Sequence, residues 1–291
     1  MLESVARLSR QDFFRRLVPR SVVRPFFMRR ERRLYQGDFT PKSTTRSILF
    51  FTVHKCASTF APKALCYFNS EKNLGLSVFD LPAYIRMNVD DQPYELMSQR
   101  ADKLFLPQGA LYVPLRRFVD VPDMQDYSTI LMLRDPRDIL VSSYFSRRYS
   151  HTLPFRSPHQ ESFLEKRRLS ANQTLREFIQ DNVEPVRDKY LEYIEQLLAR
   201  PHVQLLRYED MILDTGGWAH DLAEAIGVSC TENDVSRLVE LGGFGVKRRE
   251  DVKKHVRSGK TGDFRDKLDR ASIDMLNARF RPVLEALDYP V

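Results

Sequence analysis

Ser47–Val53 reads S-I-L-F-F-T-V, a nearly unbroken apolar run of strand length. It has no amphipathic period, and a parallel strand covered on both faces needs none. Ser128–Leu133 (S-T-I-L-M-L) has the same character, and Val203–Leu206 is a shorter version of it. Elsewhere the apolar positions return every three or four residues. That spacing predicts helices over roughly 59–69, 161–181, 185–200, 217–227, 231–241 and 270–287, with another opened by Pro136 at a favoured first-turn position. Strands alternating with helices predict an α/β fold: a single domain over 47–291 with a central parallel β-sheet flanked by helices.

Composition supports a real core. Of 291 residues 42% are hydrophobic, which excludes wholesale disorder. The net charge of +7 first suggests nucleic acid, but it is unevenly placed. Residues 1–46 hold 12 Lys+Arg against four acidic residues, whereas the remaining 245 hold 34 basic and 35 acidic. The basicity belongs to an N-terminal arm, and a neutral domain argues against DNA or RNA as partner. In the arm, arginines alternate with Phe13, Phe14, Phe26 and Phe27, and Pro19 and Pro25 cut it into short pieces. Such an arm either lies on an anionic membrane surface or packs on the domain or a partner subunit.

No stretch approaches the ~18 apolar residues of a membrane span. Arginines interrupt the short apolar runs at the N-terminus, unlike a secretory signal, so neither a signal nor a type II anchor is expected and the compartment is read as cytoplasmic. Cys56, Cys66 and Cys230 lack the paired spacing of a zinc site and read as free thiols. No metal is expected. The sequon at Asn172 carries no weight without secretion.

Open α/β sheets bind ligands beyond the carboxyl ends of their strands. The first strand is followed by His54-Lys55-Cys56-Ala57-Ser58-Thr59-Phe60 and a helix. A lysine, two hydroxyls and the N–H groups of a helix start make an anion cradle; alone, the string would equally be a helix cap beside an exposed lysine. It is not the G-x-x-x-x-G-K-[ST] loop. The second strand ends in Arg134-Asp135-Pro136-Arg137-Asp138-Ile139-Leu140-Val141-Ser142. Arg134 offers a planar fork for phosphate, Asp138 suits the helix dipole, and Arg137 should point away. Late in the chain, Arg257-Ser258-Gly259-Lys260-Thr261-Gly262-Asp263-Phe264 forms a glycine-punctuated basic loop.

These segments, in this order, resemble the sulfotransferases that use 3′-phosphoadenosine 5′-phosphosulfate (PAPS). The family string P-K-[SAT]-[GS]-[ST]-[ST] is met by H-K-C-A-S-T, and R-[ND]-P-[RK]-D-x-[LA]-V-S is matched throughout by R-D-P-R-D-I-L-V-S. The family's Tyr-Glu-Asp after the third strand is matched by Tyr208-Glu209-Asp210, and R-K-G-x-x-G-[DE]-W is similar to R-S-G-K-T-G-D-F. The resemblance spans roughly 47–288. It implies a P-loop-NTPase-like sulfotransferase fold and transfer of a sulfuryl group from PAPS to a hydroxyl or amine of a small-molecule, lipid or carbohydrate acceptor, leaving adenosine 3′,5′-bisphosphate (PAP). It also implies that Lys55, Cys56, Ala57, Ser58, Thr59 and Phe60 form the 5′-phosphosulfate loop, with Lys55 stabilising charge. Arg134 and Ser142 would hold the 3′-phosphate, Arg257, Ser258 and Gly259 would close over it, and Tyr208 would lie near the adenine. Ser258, His54 and Phe264 stand where the family has lysine, proline and tryptophan.

Many cytosolic members place a histidine in a K-T-H-x-P string on an intermediate strand. The corresponding segment here, Gly109–Arg117, has none. Candidate bases are therefore His54, Asp80, Glu95, His151, His159 and Glu161. Acceptor-binding loops are expected over 71–127 and 145–183, where Arg116, Arg117, Arg147, Arg148, Arg156, Arg167 and Arg168 would suit an anionic acceptor. Two other readings stand beside the enzyme: a silent nucleotide-binding or membrane-scaffold protein on the same fold, and a P-loop-like kinase. The family's K-x-x-x-T-V-x-x-x-E dimer string is absent, which leaves the oligomeric state open.

Overall fold

The computed structural model describes residues 28–90, 92–150, 173–243 and 260–291. Five parallel strands, β1 (Ile48–Thr52), β2 (Ser77–Phe79), β3 (Ala110–Leu115), β4 (Ser128–Leu133) and β5 (Val203–Arg207), form one sheet in the order β2-β3-β1-β4-β5. β1 is central and buried along its whole length, as are β3 and nearly all of β4. The expected α/β architecture is the observed one.

β1, β2, β4 and β5 each feed an α-helix, whereas β3 leads through a short 3-10 turn at Met124–Asp126 into β4, and the parallel strands put all five carboxyl ends on one edge. β1 leads into α2 (Phe60–Glu71), whose Ala61, Ala64, Leu65 and Phe68 are buried; α1 (Arg29–Gln36) precedes it and packs beside β2. β4 leads into α6 (Pro136–Phe145). Asp135 caps α6 by accepting the Arg137 N–H, and Pro136 fills a first-turn site where no N–H is needed. After β5 come α8 (Tyr208–Leu213), α9 (Thr215–Ala225), α10 (Glu232–Gly242), α11 (Asp263–Lys267) and α12 (Arg270–Ala286).

Two expectations are corrected. Residues 71–127 are not loops: they contain β2, β3, α3 (Leu81–Asn88), α4 (Pro93–Gln99) and α5 (Ala101–Leu104). The helices expected over 161–181 and 185–200 are, among the described residues, one helix, α7 (Leu175–Tyr193), extended by a π-helical turn at Ile194–Leu198. Pro185 lies inside it. An interior proline costs roughly 3 kcal/mol, which burial of the Phe178, Ile179, Val183, Tyr190 and Tyr193 stripe offsets. A Thr174–Glu177 capping box fixes its start.

Candidate functional site

The carboxyl edge gathers Lys55, Ser58, Arg134 and Tyr208 around the turn that follows β1. Lys55 and Ala57 there both have positive φ, 68° and 43°. Non-glycine residues adopt such values at a cost of about 1–2 kcal/mol each. The turn is held in spite of that by α2, whose first amides, Phe60 N–H and Ala61 N–H, both donate to the Ala57 carbonyl (2.8 and 3.0 Å). Cys56 points inward. Its thiol donates to the Met132 carbonyl (3.4 Å), and burial pushes its pKa far up, so it is a packing residue. His54 and Thr59 are exposed; Lys55, Ser58 and Phe60 are half-buried, and the Phe60 ring packs on Trp218 (5.7 Å).

Arg134, at the tip of β4, is the centre of the site. Its Nη1 donates to the Lys55 carbonyl (3.2 Å), and its Nη2 to Asp138 Oδ2 and to the Lys260 carbonyl (both 3.0 Å). The guanidinium lies 4.2 Å over the Tyr208 ring. Burial opposes its charge, but Tyr208, Asp138 and Glu209 together hold it protonated. Its Nε is buried with no partner, an orphan donor that an anion would satisfy. Ser142 lies one turn beyond Asp138 on the same face of α6, half-buried.

Asp138 does more than complement a helix dipole. It is buried and accepts the Gly262 and Phe264 N–H groups (both 2.9 Å) as well as Arg134. The 260–264 segment is thereby tied to the β4–α6 turn, and Gly262 enters that bond at φ 72°. Arg137 points away, as expected, but into the protein: it pairs with Asp135 (2.7 Å), donates to Asn277 Oδ1 (2.7 Å) and the Pro290 carbonyl (2.8 Å), and stacks on Phe264 (4.3 Å).

Three supports escaped sequence reasoning because their partners are remote in the chain. Tyr190 OH donates to the Arg134 carbonyl and Tyr193 OH to the Thr52 carbonyl (2.9 Å), so α7 braces the ends of β4 and β1. Glu209 accepts the Asp135 N–H (3.0 Å) and the Tyr289 hydroxyl (2.9 Å), with its pKa raised by burial.

On the other side of β1, Arg116 follows β3. Its Nη2 reaches Ser58 Oγ (3.4 Å) and its backbone N–H donates to the Tyr94 hydroxyl (2.8 Å). Beside it an open groove of about 690 Å³ is walled by Tyr94, Glu95, Arg117 and Phe118 and, from α7, by Pro185, Asp188, Lys189 and Glu192. Burial and the Arg117 charge lower the Lys189 pKa. Among the candidate bases, Asp80 caps α3 through the Ala83 N–H (3.1 Å), with burial raising its pKa, and Glu95 faces the groove. On β3 itself, Tyr112 is buried and its hydroxyl accepts the Leu106 N–H (2.7 Å). Arg147 and Arg148 pack on Phe178 and Tyr144. Arg257, Ser258, Gly259, His151, His159, Glu161, Arg156, Arg167, Arg168 and residues 1–27 lie outside the described residues. No cluster of His, Cys, Asp and Glu suited to a metal ion occurs among the described residues.

Residues 123–288 match the family of the sulfotransferase domain, a span that begins just before β4 and runs through α12. Sulfotransferase 4A1 of mouse and of human are each 27% identical over 203 residues, 69% of this chain and 62% of theirs, so the chain matches less than two thirds of these curated relatives. A crystal structure of mouse sulfotransferase SULT7A1 complexed with PAP shares the fold, with a TM-score of 0.57 over 85% of this chain and 86% of that one at 14% identity. With its parallel sheet and the R-D-P-R-D turn at the sheet's carboxyl edge, the chain belongs to the sulfotransferase domain family.

Proposed function

We propose that residues 47–291 form a PAPS-dependent sulfotransferase, transferring a sulfuryl group to a hydroxyl, or an amine, of a small-molecule, lipid or carbohydrate acceptor. The observation that carries this reading is Arg134. A buried guanidinium ties the turn after β1 to the 260–264 segment and keeps an orphan Nε–H between them. The residues fit the nucleotide: Arg134 and Ser142 would hold the 3′-phosphate, Lys55, Ser58 and Thr59 the 5′-phosphosulfate, and Arg257, Ser258 and Gly259 would close over it. PAPS supplies the sulfuryl group. Lys55 places positive charge where the 5′-phosphate leaves, in a turn already fixed by α2, so little reorganisation accompanies transfer. The groove beside Arg116 and Lys189 receives the acceptor, and Glu95 in its wall puts a carboxylate near the acceptor hydroxyl.

PAP should stabilise the protein against heat by about 2.7 kcal/mol at a hundredfold excess over its dissociation constant, with little effect from ATP. Equal or greater stabilisation by ATP would replace this reading with a P-loop-like kinase. The absence of a histidine on β3 favours a second reading, a silent nucleotide-binding protein on the same fold. Transfer of labelled sulfate from PAPS to any acceptor in a lysate of the source organism excludes it.

The basic arm, residues 1–46, suits an anionic membrane surface and an acceptor presented there, at the inner face of a membrane. Among the described residues no helix is long and apolar enough to cross a membrane. On α1, Arg29, Arg30, Arg32 and Arg33 are exposed, whereas Glu31 turns inward and accepts the Asp80 N–H (3.2 Å). The exposed basic face therefore belongs to the helix that packs beside β2, at the edge of the sheet. Each engaged arginine contributes roughly 1 kcal/mol at an anionic surface. Co-sedimentation with phosphatidylserine vesicles should fall at least tenfold on deleting residues 1–27 and changing Arg30 and Arg32 to Gln. A full-length chain that ignores such vesicles overturns this part of the reading.

A further inference from the structure

We propose that Arg116 is a second catalytic cation, one that contacts the transferring sulfuryl group itself. The inference rests on the sulfotransferase reading above and adds a residue that none of the four matched motifs contains.

The turn after β1 is bracketed by two arginines, because β1 lies between β3 and β4 in the sheet. Arg134 enters from the β4 side and grips the Lys55 carbonyl; Arg116 enters from the β3 side and reaches Ser58 Oγ. Their electrostatic situations differ. Arg134 has a counter-ion in Asp138, at 3.0 Å. Among the described residues Arg116 has no carboxylate partner within ion-pair distance, and its Nε is buried without any hydrogen bond. A guanidinium left half-buried and unpaired is costly unless a ligand completes it. Its backbone is anchored by Tyr94, so the side chain leaves the strand end from a fixed point.

The position follows from the two halves of the edge. Nucleotide-handling residues lie on β1, β4 and β5, and the groove lies at β3, α4 and α7. Arg116 stands at the seam, between Ser58 and the groove wall at Arg117. In transfer, the bond from sulfur to the 5′-phosphate oxygen breaks, its electron pair stays with the phosphate, and a bond from sulfur to the acceptor oxygen forms as the acceptor proton passes to a base. Lys55 meets the charge on the departing phosphate. Arg116 meets the equatorial sulfuryl oxygens, which carry charge throughout.

PAPS carries the sulfuryl group and PAP lacks it, which gives a readout apart from turnover. Arg116→Ala should weaken PAPS at least tenfold by calorimetry, leave PAP affinity within twofold, and lower kcat about a hundredfold with the KM for acceptor little changed. Arg116→Lys should recover part of the PAPS affinity. Equal losses for PAP and PAPS in both variants, or none for either, would overturn the proposal and reduce Arg116 to a structural role. Should Arg116→Ala fail to fold, the same comparison is made with Arg116→Gln. A wild-type chain that binds PAP but not PAPS also overturns the proposal and leaves the nucleotide site standing. A wild-type chain that binds neither removes the sulfotransferase reading and this proposal together.

Discussion

Arg137→Ala should cost about 3–5 kcal/mol of stability, because it strips a buried carboxylate of its partner. The guanidinium contacts Asp135, Asn277, the Pro290 carbonyl and the Phe264 ring, four groups from the cap of α6, from α12, from the C-terminal segment and from α11. Urea denaturation measures the loss, and adding PAP separates fold from site. The PAP-induced stabilisation should survive in Arg137→Ala and vanish in Arg134→Ala, where loss of a charge-assisted phosphate contact removes about 2–4 kcal/mol of binding. A neutral Arg137→Ala, or one that loses the PAP response while Arg134→Ala keeps it, would mean that the two arginines have been given each other's roles.

Asp138→Ala is the companion case. Its carboxylate receives one guanidinium and two backbone amides, so removal takes the counter-ion from a buried cation and the acceptor from two N–H groups, again about 3–5 kcal/mol. Asp138→Asn keeps one acceptor oxygen and should cost less. The distinctive readout is local. Hydrogen exchange at Gly262 and Phe264 should accelerate in Asp138→Ala by more than at amides in β1. Unchanged protection at those two amides would show that the segment is held by something other than Asp138.

The central strands were legible because burial on both faces leaves an unbroken apolar run, and β4 begins and ends where S-T-I-L-M-L does. β2 was not, since three residues at a sheet edge, two of them half-buried, carry no period. β3 was found only through its likeness to a family strand; Pro114 interrupts its local signal. The apolar spacing misled at 181–185, where it suggested two helices and tertiary burial carries one helix through Pro185. At the site, the turn and both motif arginines were visible because their chemistry is local. The roles of Asp138, Tyr190 and Tyr193 depend on partners 56 to 141 residues away. Arg116 was legible only as one of seven arginines suited to an anionic acceptor, and the strand order is what puts it beside Ser58.

Helix α7 has one face on each half of the edge. Pro185, Asp188, Lys189 and Glu192 wall the groove, while Tyr190 and Tyr193 hold the backbone ends of β4 and β1. A rigid rod shared in this way cannot respond to one ligand without the other sensing it. Under the proposed function, an acceptor that shifts or stiffens the rod alters the nucleotide's affinity, and linkage requires the nucleotide to alter the acceptor's by the same factor. The two substrates would then bind as a thermodynamically coupled pair, linked through two phenolic hydroxyls as well as through their own contact.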